Sequence, residues 1–531
     1  MRLIHRLSFA LLLFSFRASS YAAPAGKPKL ILAVVVDQFR YDYLTRFRGD
    51  YHAGLARLLD EGAVFTDAHH VHFPTVTAVG HSTFLSGATP SVSGIIANEW
   101  YERGTGRCTA LNAAPSPVVT SVCDDSTQLL GGIAGVHGSS PRRMLVSTLG
   151  DELKMAGKAS KVIGVSIKDR SSILPAGHMA DAAYWFDSDT NHFVTSTYYV
   201  RELPEWVATV NSQRPIGKYL GVAWLPVNAK AGDKPFCSMA AGGEVPYCGP
   251  IESTPFGNEL LEDFAERAIQ NEKLGQHEGA DILALSFSAN DYAGHALGPD
   301  APEIRDISIR TDQLLGKLMD FADAQIGKGN TLVVLTADHG VAPIPEVNAD
   351  RKMPGGRLDA GVCSRAISDA LSASFGKGNW FVYDASGFLY LNYETVSVNK
   401  ASPVEVRRVA AEAGRALPHI ARVFTRDELQ RGEGTSDPVG HSVMLGYYGP
   451  RWGDLVLVPE PYYMFSASGT THGLPYDYDT HVPVIFWGPE IRPGVQYGRV
   501  AVNDIAPTLA ALLEVGTPSG SSGRILSQIL K

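Results

Sequence analysis

Three apolar runs in the sequence end on residues that could hold a metal ion. Leu30–Val36 runs directly into Asp37, and Thr331–Leu335 leads through Thr336 and Ala337 to Asp338 and His339. Ile282–Phe287 is followed closely by Asn-Asp-Tyr-Ala-Gly-His, which carries Asp291 and His295. A lone aspartate after a strand is ordinarily a turn or cap residue. That explanation would have to hold at three strand ends and would leave both histidines without a purpose. Mixed carboxylate and imidazole donors suit zinc or a similar transition metal better than calcium or magnesium. A further histidine is expected near the C-terminus, from Ser-Gly-Thr-Thr-His-Gly (His472) or Asp-Thr-His-Val (His481). His472 sits in a glycine-flanked loop and is the favoured ligand. His481 opens the last strand candidate and suits a structural or supporting role.

A nucleophile candidate lies in Phe73–Ser82, where Thr75 and Thr77 precede a helix pattern of small residues. At a helix start, exposed N–H groups and the helix dipole favour negative charge. A hydroxyl placed there beside a metal can ionise near neutral pH. Without the metal-ligating set, a threonine before a helix is an ordinary cap. Lys168 and Arg170 close another strand candidate; two apart on an extended segment, they would point the same way and could grip one anion.

Taken in order, Asp37, Phe73–His81, Gly94–Asn98, Asp291 with His295, Asp338-His339 and Thr471-His472-Gly473 resemble the alkaline phosphatase superfamily. The likeness is to its nucleotide pyrophosphatase/phosphodiesterase branch and the bacterial threonine-nucleophile alkaline phosphatases within it. The resemblance implies two zinc ions per chain. Asp291, His295 and His472 would hold one; Asp37, Asp338, His339 and the Thr77 oxygen would hold the other. It places Thr77, rather than Thr75, in the nucleophile position and gives Asn98 a hydrogen bond to a phosphoryl oxygen. It also implies that Lys168 and Arg170 contact non-bridging phosphate oxygens. Two cations beyond the metals favour a monoester dianion over a diester monoanion, so phosphate monoesters are the expected substrates. The competing readings are a nucleotide phosphodiesterase on the same scaffold and a non-catalytic exported metal-binding protein.

The elements that must position these residues read as an α/β fold: a doubly wound, mainly parallel sheet with helices on both faces, plus inserted segments and a small cap lobe. Further strand candidates are Lys161–Ile167 and Val482–Trp487, and helical stretches lie at Glu152–Ala156, Asn258–Gln270 and Glu303–Ala322. Continuous apolar strands alternating with helices indicate a parallel sheet covered on both faces. Ligands then bind beyond the carboxyl ends of the strands, where the three aspartates stand. Trp100–Ser140 and Ser172–Thr254 read as surface insertions. About 342–466, with strand candidates at Trp380–Tyr383 and Phe388–Asn392, reads as the cap lobe within a catalytic domain spanning 23–531.

The chain has 531 residues, 45% hydrophobic and 19% charged, which is an ordinary globular composition. Arg2 and Arg6, the apolar run Phe9–Phe14 and the small-residue site Ser20-Tyr21-Ala22 read as an export signal covering residues 1–22. The apolar run is too short to span a bilayer. Loss of Arg2, Arg6 and Arg17 with that segment takes the formal charge from -9 to -12. An acidic protein has no general electrostatic affinity for nucleic acid. Small phosphate esters would be drawn by a local positive centre. In an oxidising periplasmic or external compartment, short separations pair Cys108 with Cys123 and Cys237 with Cys248, leaving Cys363 free.

Overall fold

Leu30–Val36 is seven apolar residues long and buried along its whole length. A segment with no face fit for water belongs in the middle of a sheet covered on both sides. The computed structural model describes residues 26–104, 117–242, 245–433 and 436–531, and it places this segment near the centre of an eleven-stranded sheet. In chain order the strands are β1 (Leu30–Val36), β2 (Ala63–Phe65), β3 (Cys123–Leu130), β4 (His137–Ser139), β5 (Val162–Ser166) and β6 (Ala182–Asp187). They continue with β7 (His192–Ser196), β8 (Asp281–Phe287), β9 (Thr331–Thr336), β10 (Val484–Trp487) and β11 (Gly494–Gln496). Their spatial order is β11-β2-β10-β9-β1-β8-β5-β6-β7-β3-β4.

The five central strands, β9-β1-β8-β5-β6, are parallel. Antiparallel pairs flank them on both sides, so the sheet is mixed. Helices pack against it in two groups. Gly54–Glu61, Pro255–Asn271 and Pro302–Ile326 form one; Thr77–Ser86, Asp169–Ala176 and Ile505–Leu513 form the other. A separate four-stranded sheet is built from Phe381–Ala385, Phe388–Leu391, Leu455–Pro459 and Ile420–Thr425, in that spatial order. It is tied to the main body by Arg103, which donates to Trp452 O and Asp454 Oδ2, and by Arg451, which donates to Arg143 O.

Three sequence expectations are corrected. The C-terminal strand runs antiparallel to both neighbours instead of extending the parallel set. The preceding loop has carried His472 to the carboxyl edge, so the chain re-enters the sheet from that edge and must run the other way. An apolar run reports burial on two faces and carries no direction. The regions Trp100–Ser140 and Ser172–Thr254 are not merely surface insertions, since they supply β3, β4, β6 and β7. β3 is polar and only partly buried, and β6 (Ala-Ala-Tyr-Trp-Phe-Asp) is apolar but lacks β-branched residues, so neither shows the expected run of apolar, β-branched residues. Lys168 and Arg170 do not share an extended segment. Lys168 caps the helix Asp169–Ala176 and Arg170 lies in its first turn.

Cys237 and Cys248 are joined by a disulfide, with their Cα atoms 4.9 Å apart, and Cys363 is free and buried. Residues 1–22 and Cys108 lie outside the described residues, and with them the export-signal reading and the Cys108–Cys123 pairing. Among the described residues, no helix is long and apolar enough to cross a membrane.

Candidate active site

The carboxyl ends of four adjacent parallel strands deliver the chemistry. Asp37 follows β1, Asp338 and His339 follow β9, Lys168 follows β5, and Asp291 lies in the helix Ala289–Leu297 after β8. Asp37, Asp291, Asp338, His339 and Lys168 are all buried. Thr77 is the first residue of the helix Thr77–Ser86 and is 1% exposed. That helix approaches the site at Gly80, where a Cβ would fall 2.2 Å from the Asp338 carbonyl oxygen. Only glycine permits that approach, which brings Thr77 Oγ1 to 3.5 Å from His339 Nε2.

Two groups that could hold a metal ion meet here. Asp291, His295 and His472 form one, with His295 Nε2 3.2 Å and His472 Nε2 3.6 Å from Asp291 Oδ1. Asp37, Asp291 and His339 form the other, with His339 Nε2 3.6 Å from Asp37 Oδ1. Asp338 borders the second group, its Oδ2 3.3 Å from His339 Nε2, while its Oδ1 accepts from the backbone N–H groups of Gln38 and His339. His481 is elsewhere: its ring stacks on Tyr41 and His69, and its Nε2 lies 3.0 Å from Thr66 O.

The residues present fit metal ions closely. His295, His339 and His472 each place Nδ1 2.8–2.9 Å from a backbone carbonyl, of Thr470, Gly340 and Thr75 respectively. A carbonyl can only accept, so Nδ1 carries a proton and Nε2 is the nitrogen turned toward the acidic cluster, where a metal would take its lone pair. Buried Asp37 Oδ1 and Asp338 Oδ2 accept no hydrogen bond.

The electrostatics agree. Burial, with Asp338 and Asp291 nearby, raises the Asp37 carboxyl well above its ordinary range. Burial pushes Asp338 up to about 7. Carboxylates so crowded require cations to remain ionised. Burial and His295 hold His472 down to about 3, and burial with His472 keeps His339 well below the usual value, so both are neutral donors. For His295, burial likewise lowers the pKa, but Asp291 outweighs it and lifts the ring to about 9, so this imidazole must give up a proton to hold a metal.

Lys168 Nζ lies 2.5 Å from both Asp37 Oδ2 and Asp291 Oδ2. It therefore stands between the ligand groups instead of pointing outward beside Arg170. Arg170 lines the cavity over the site, and its buried Nε has no hydrogen-bond partner. Asn98 Oδ1 accepts from Ala78 N–H at 2.8 Å, which fixes the carboxamide and leaves its NH2 end to donate elsewhere.

Two polar residues at the site were not singled out from sequence. Gln38 bridges the groups, its side-chain amide donating to Asp291 Oδ1 at 2.6 Å. His81 donates from Nδ1 to Thr77 O at 2.8 Å and lies 3.3 Å from Asp338 Oδ2. Gly294, inside the Asp291–His295 motif, was the available signal for Gln38: a Cβ there would fall 1.9 Å from Gln38 Oε1.

The family profile described as type I phosphodiesterase/nucleotide pyrophosphatase matches residues 31–482. The chain is 33% identical to alkaline phosphatase PafA of Elizabethkingia meningoseptica, over 95% of each sequence. It is 35% identical, again over 95% of each, to a Myroides odoratus protein named calcium-transporting ATPase. The crystal structure of wild-type PafA superposes with a TM-score of 0.86 at 32% identity, covering 96% of this chain and 100% of that one. By sequence and by fold, the chain belongs to the type I phosphodiesterase/nucleotide pyrophosphatase family, within the alkaline phosphatase superfamily.

Proposed function

We propose that this protein is an exported alkaline phosphatase that hydrolyses phosphate monoesters through a covalent phosphothreonine at a two-zinc site. The observation that carries the reading is the orientation of the three histidines. Each is fixed through Nδ1 and turns Nε2 into a buried carboxylate cluster beside the Thr77 hydroxyl. The name of the PafA relative supports the phosphatase reading. The transport named for the Myroides odoratus protein is not adopted, because a buried ligand cluster beside a threonine hydroxyl suits a hydrolase.

Asp291, His295 and His472 would hold one zinc; Asp37, Asp338 and His339, with Thr77 Oγ1, would hold the other. Bound there, zinc supplies Lewis acidity, favouring the ionised hydroxyl and the departing oxygen. Thr77 Oγ1 attacks phosphorus in line, the phosphorus–oxygen bond to the alcohol breaks, and the alcohol leaves. Water then cleaves the phosphothreonine, returning the Thr77 hydroxyl and releasing inorganic phosphate. Asn98, Arg170 and Lys168 would hold the equatorial oxygens, where charge concentrates during phosphoryl transfer. The helix start at Thr77 adds its dipole to that stabilisation. Residues of about 342–466 would serve as the cap.

A parallel assay of p-nitrophenyl phosphate and bis-p-nitrophenyl phosphate, on wild type and Thr77→Ala, tests the reading. Dominant monoester turnover that vanishes in the zinc-loaded variant is expected. Equal turnover in the variant rules out the threonine nucleophile. Dominant diester turnover favours the phosphodiesterase reading, to which the family description also points.

A further inference from the structure

A cavity of about 500 Å³ opens over the site. It borders His295 and His472 but not Asp37, Asp338 or His339, and Asn98 and Arg170 flank it. If Thr77 attacks in line from the His339 side, the alcohol must depart away from that side, into this space. The cavity is therefore placed for the leaving group, while Asn98 and Arg170 occupy the equatorial positions.

Its walls mix polar groups with an apolar, aromatic set. Phe73, Val76 and Leu474 come from the main body, and Tyr383 and Phe388 come from the four-stranded sheet, with Phe465 in a loop just beyond it. These walls are held in place by their own contacts. Phe73 and Phe388 stack with centroids 5.8 Å apart, and the Tyr383 hydroxyl donates to Glu99 Oε1 at 3.1 Å. A preformed apolar pocket binds an apolar group without the cost of ordering its walls. Its charged lining is informative too. Arg170, on the phosphate side, is accompanied by Asp169, while Glu99 also lines the pocket as a carboxylate. A leaving group bearing its own anion would meet the Glu99 carboxylate at the pocket's exposed margin and be repelled there.

We propose that this cavity is a leaving-group pocket for an uncharged aromatic alcohol, which makes the protein an aryl phosphomonoesterase that discriminates against leaving groups carrying a further anion. The inference rests on the monoesterase reading, and the volume suits one ring system better than a small alkyl group. Aromatic walls offer ring faces and edges to such a group.

The test compares kcat/KM for phenyl phosphate, methyl phosphate and 4-carboxyphenyl phosphate in the zinc-loaded full chain. Ratios between wild type and variant cancel the intrinsic reactivity of each ester. Phe465→Ala should lower the phenyl-to-methyl ratio roughly tenfold. Glu99→Gln, at an exposed position, should raise the 4-carboxyphenyl-to-phenyl ratio at least about threefold. The Glu99 arm stands even if Phe465→Ala fails to fold. Ratios unmoved by the substitutions overturn the pocket while leaving the phosphatase reading intact. Absence of turnover on all three monoesters, with diphenyl phosphate hydrolysed, instead overturns the monoesterase reading.

Discussion

The carboxamide of Gln38 donates to Asp291 Oδ1 at 2.6 Å, while the backbone N–H of the same residue donates to Asp338 Oδ1 at 3.1 Å. One residue thus fixes a carboxylate near each end of the ligand cluster. Gln38 does so from the left-handed region, at φ 60°, where a non-glycine residue is uncommon. Partners that orient metal ligands typically contribute 10–100-fold in metal affinity. Gln38→Leu keeps the bulk and removes the donor, so zinc affinity should fall by about that factor. Competition with a fluorescent chelator measures it, and an unchanged affinity would refute the bridging role.

On the proposed function, Arg170 rather than Lys168 would carry the monoester preference. Lys168 is engaged with Asp37 and Asp291, whereas Arg170 lines the cavity and its buried Nε has no partner. A hydrogen bond to a charged group is worth about 1.5–3 kcal/mol, or roughly 10- to 150-fold in rate. Arg170→Ala should lower monoester kcat/KM within that range and diester kcat/KM by less. Arg170→Lys should restore little, because an ammonium cannot reproduce the planar fork. Equal losses on both ester types would remove Arg170 as the discriminating group.

The chemistry of the site was more legible than its architecture. Asp37, Asp291 and Asp338 each follow a fully buried apolar strand, so strand, strand end and candidate ligand were visible together in the sequence. Strand direction was not visible: Val484–Trp487 is as apolar as the parallel strands yet runs against them. Polar strands near the sheet edge, such as Cys123–Leu130, gave no periodic signal, because a part-buried strand at a sheet margin tolerates Asp and Ser. The placement of Lys168 between two carboxylates depends on contacts 131 and 123 residues away along the chain, which local spacing cannot encode. Gln38 was missed for the same reason, its partners being 253 and 300 residues away.

Metal removal should destabilise the fold, and in a pH-dependent way. Asp37, Asp291 and Asp338 are buried together, and burial alone opposes their ionisation. Zinc binding requires Asp338 to lose a proton that it holds up to about 7, so affinity should rise as pH increases through that value. A ligand at a hundred times its Kd stabilises the native state by about 2.7 kcal/mol. Chelation should therefore lower the thermal midpoint, and added zinc should restore it more fully at pH 8.5 than at pH 5.5. A midpoint indifferent to chelator at pH 8.5 would count against the metal centre.

Away from the site, Asp151 offers a stability test with a defined pH signature. It accepts from the backbone N–H groups of Thr148 and Met179 at 2.8 and 2.6 Å and lies 3.4 Å from His178 Nδ1. Burial opposes its charge, but His178 and these N–H donors outweigh that and hold its pKa below the ordinary value. Burial likewise opposes the His178 cation, but Asp151 raises its pKa above the usual one. A depressed carboxylate contributes stability present above its unfolded value, about 3.9, and lost as pH falls through the folded one. A raised imidazole contributes stability present below about 6.5 and lost as pH rises through its folded value. Both contributions are present together between about pH 4 and 6.5. Asp151→Asn keeps one acceptor oxygen for the cap at Thr148 but loses the charge and the acceptor for Met179 N–H, so it should cost about 1–3 kcal/mol in that window. Thermal midpoints of wild type and variant at pH 3, 5.5 and 8.5 should differ most at pH 5.5. A difference that stays flat across all three would show that the backbone cap, rather than the pairing with His178, accounts for the stabilisation.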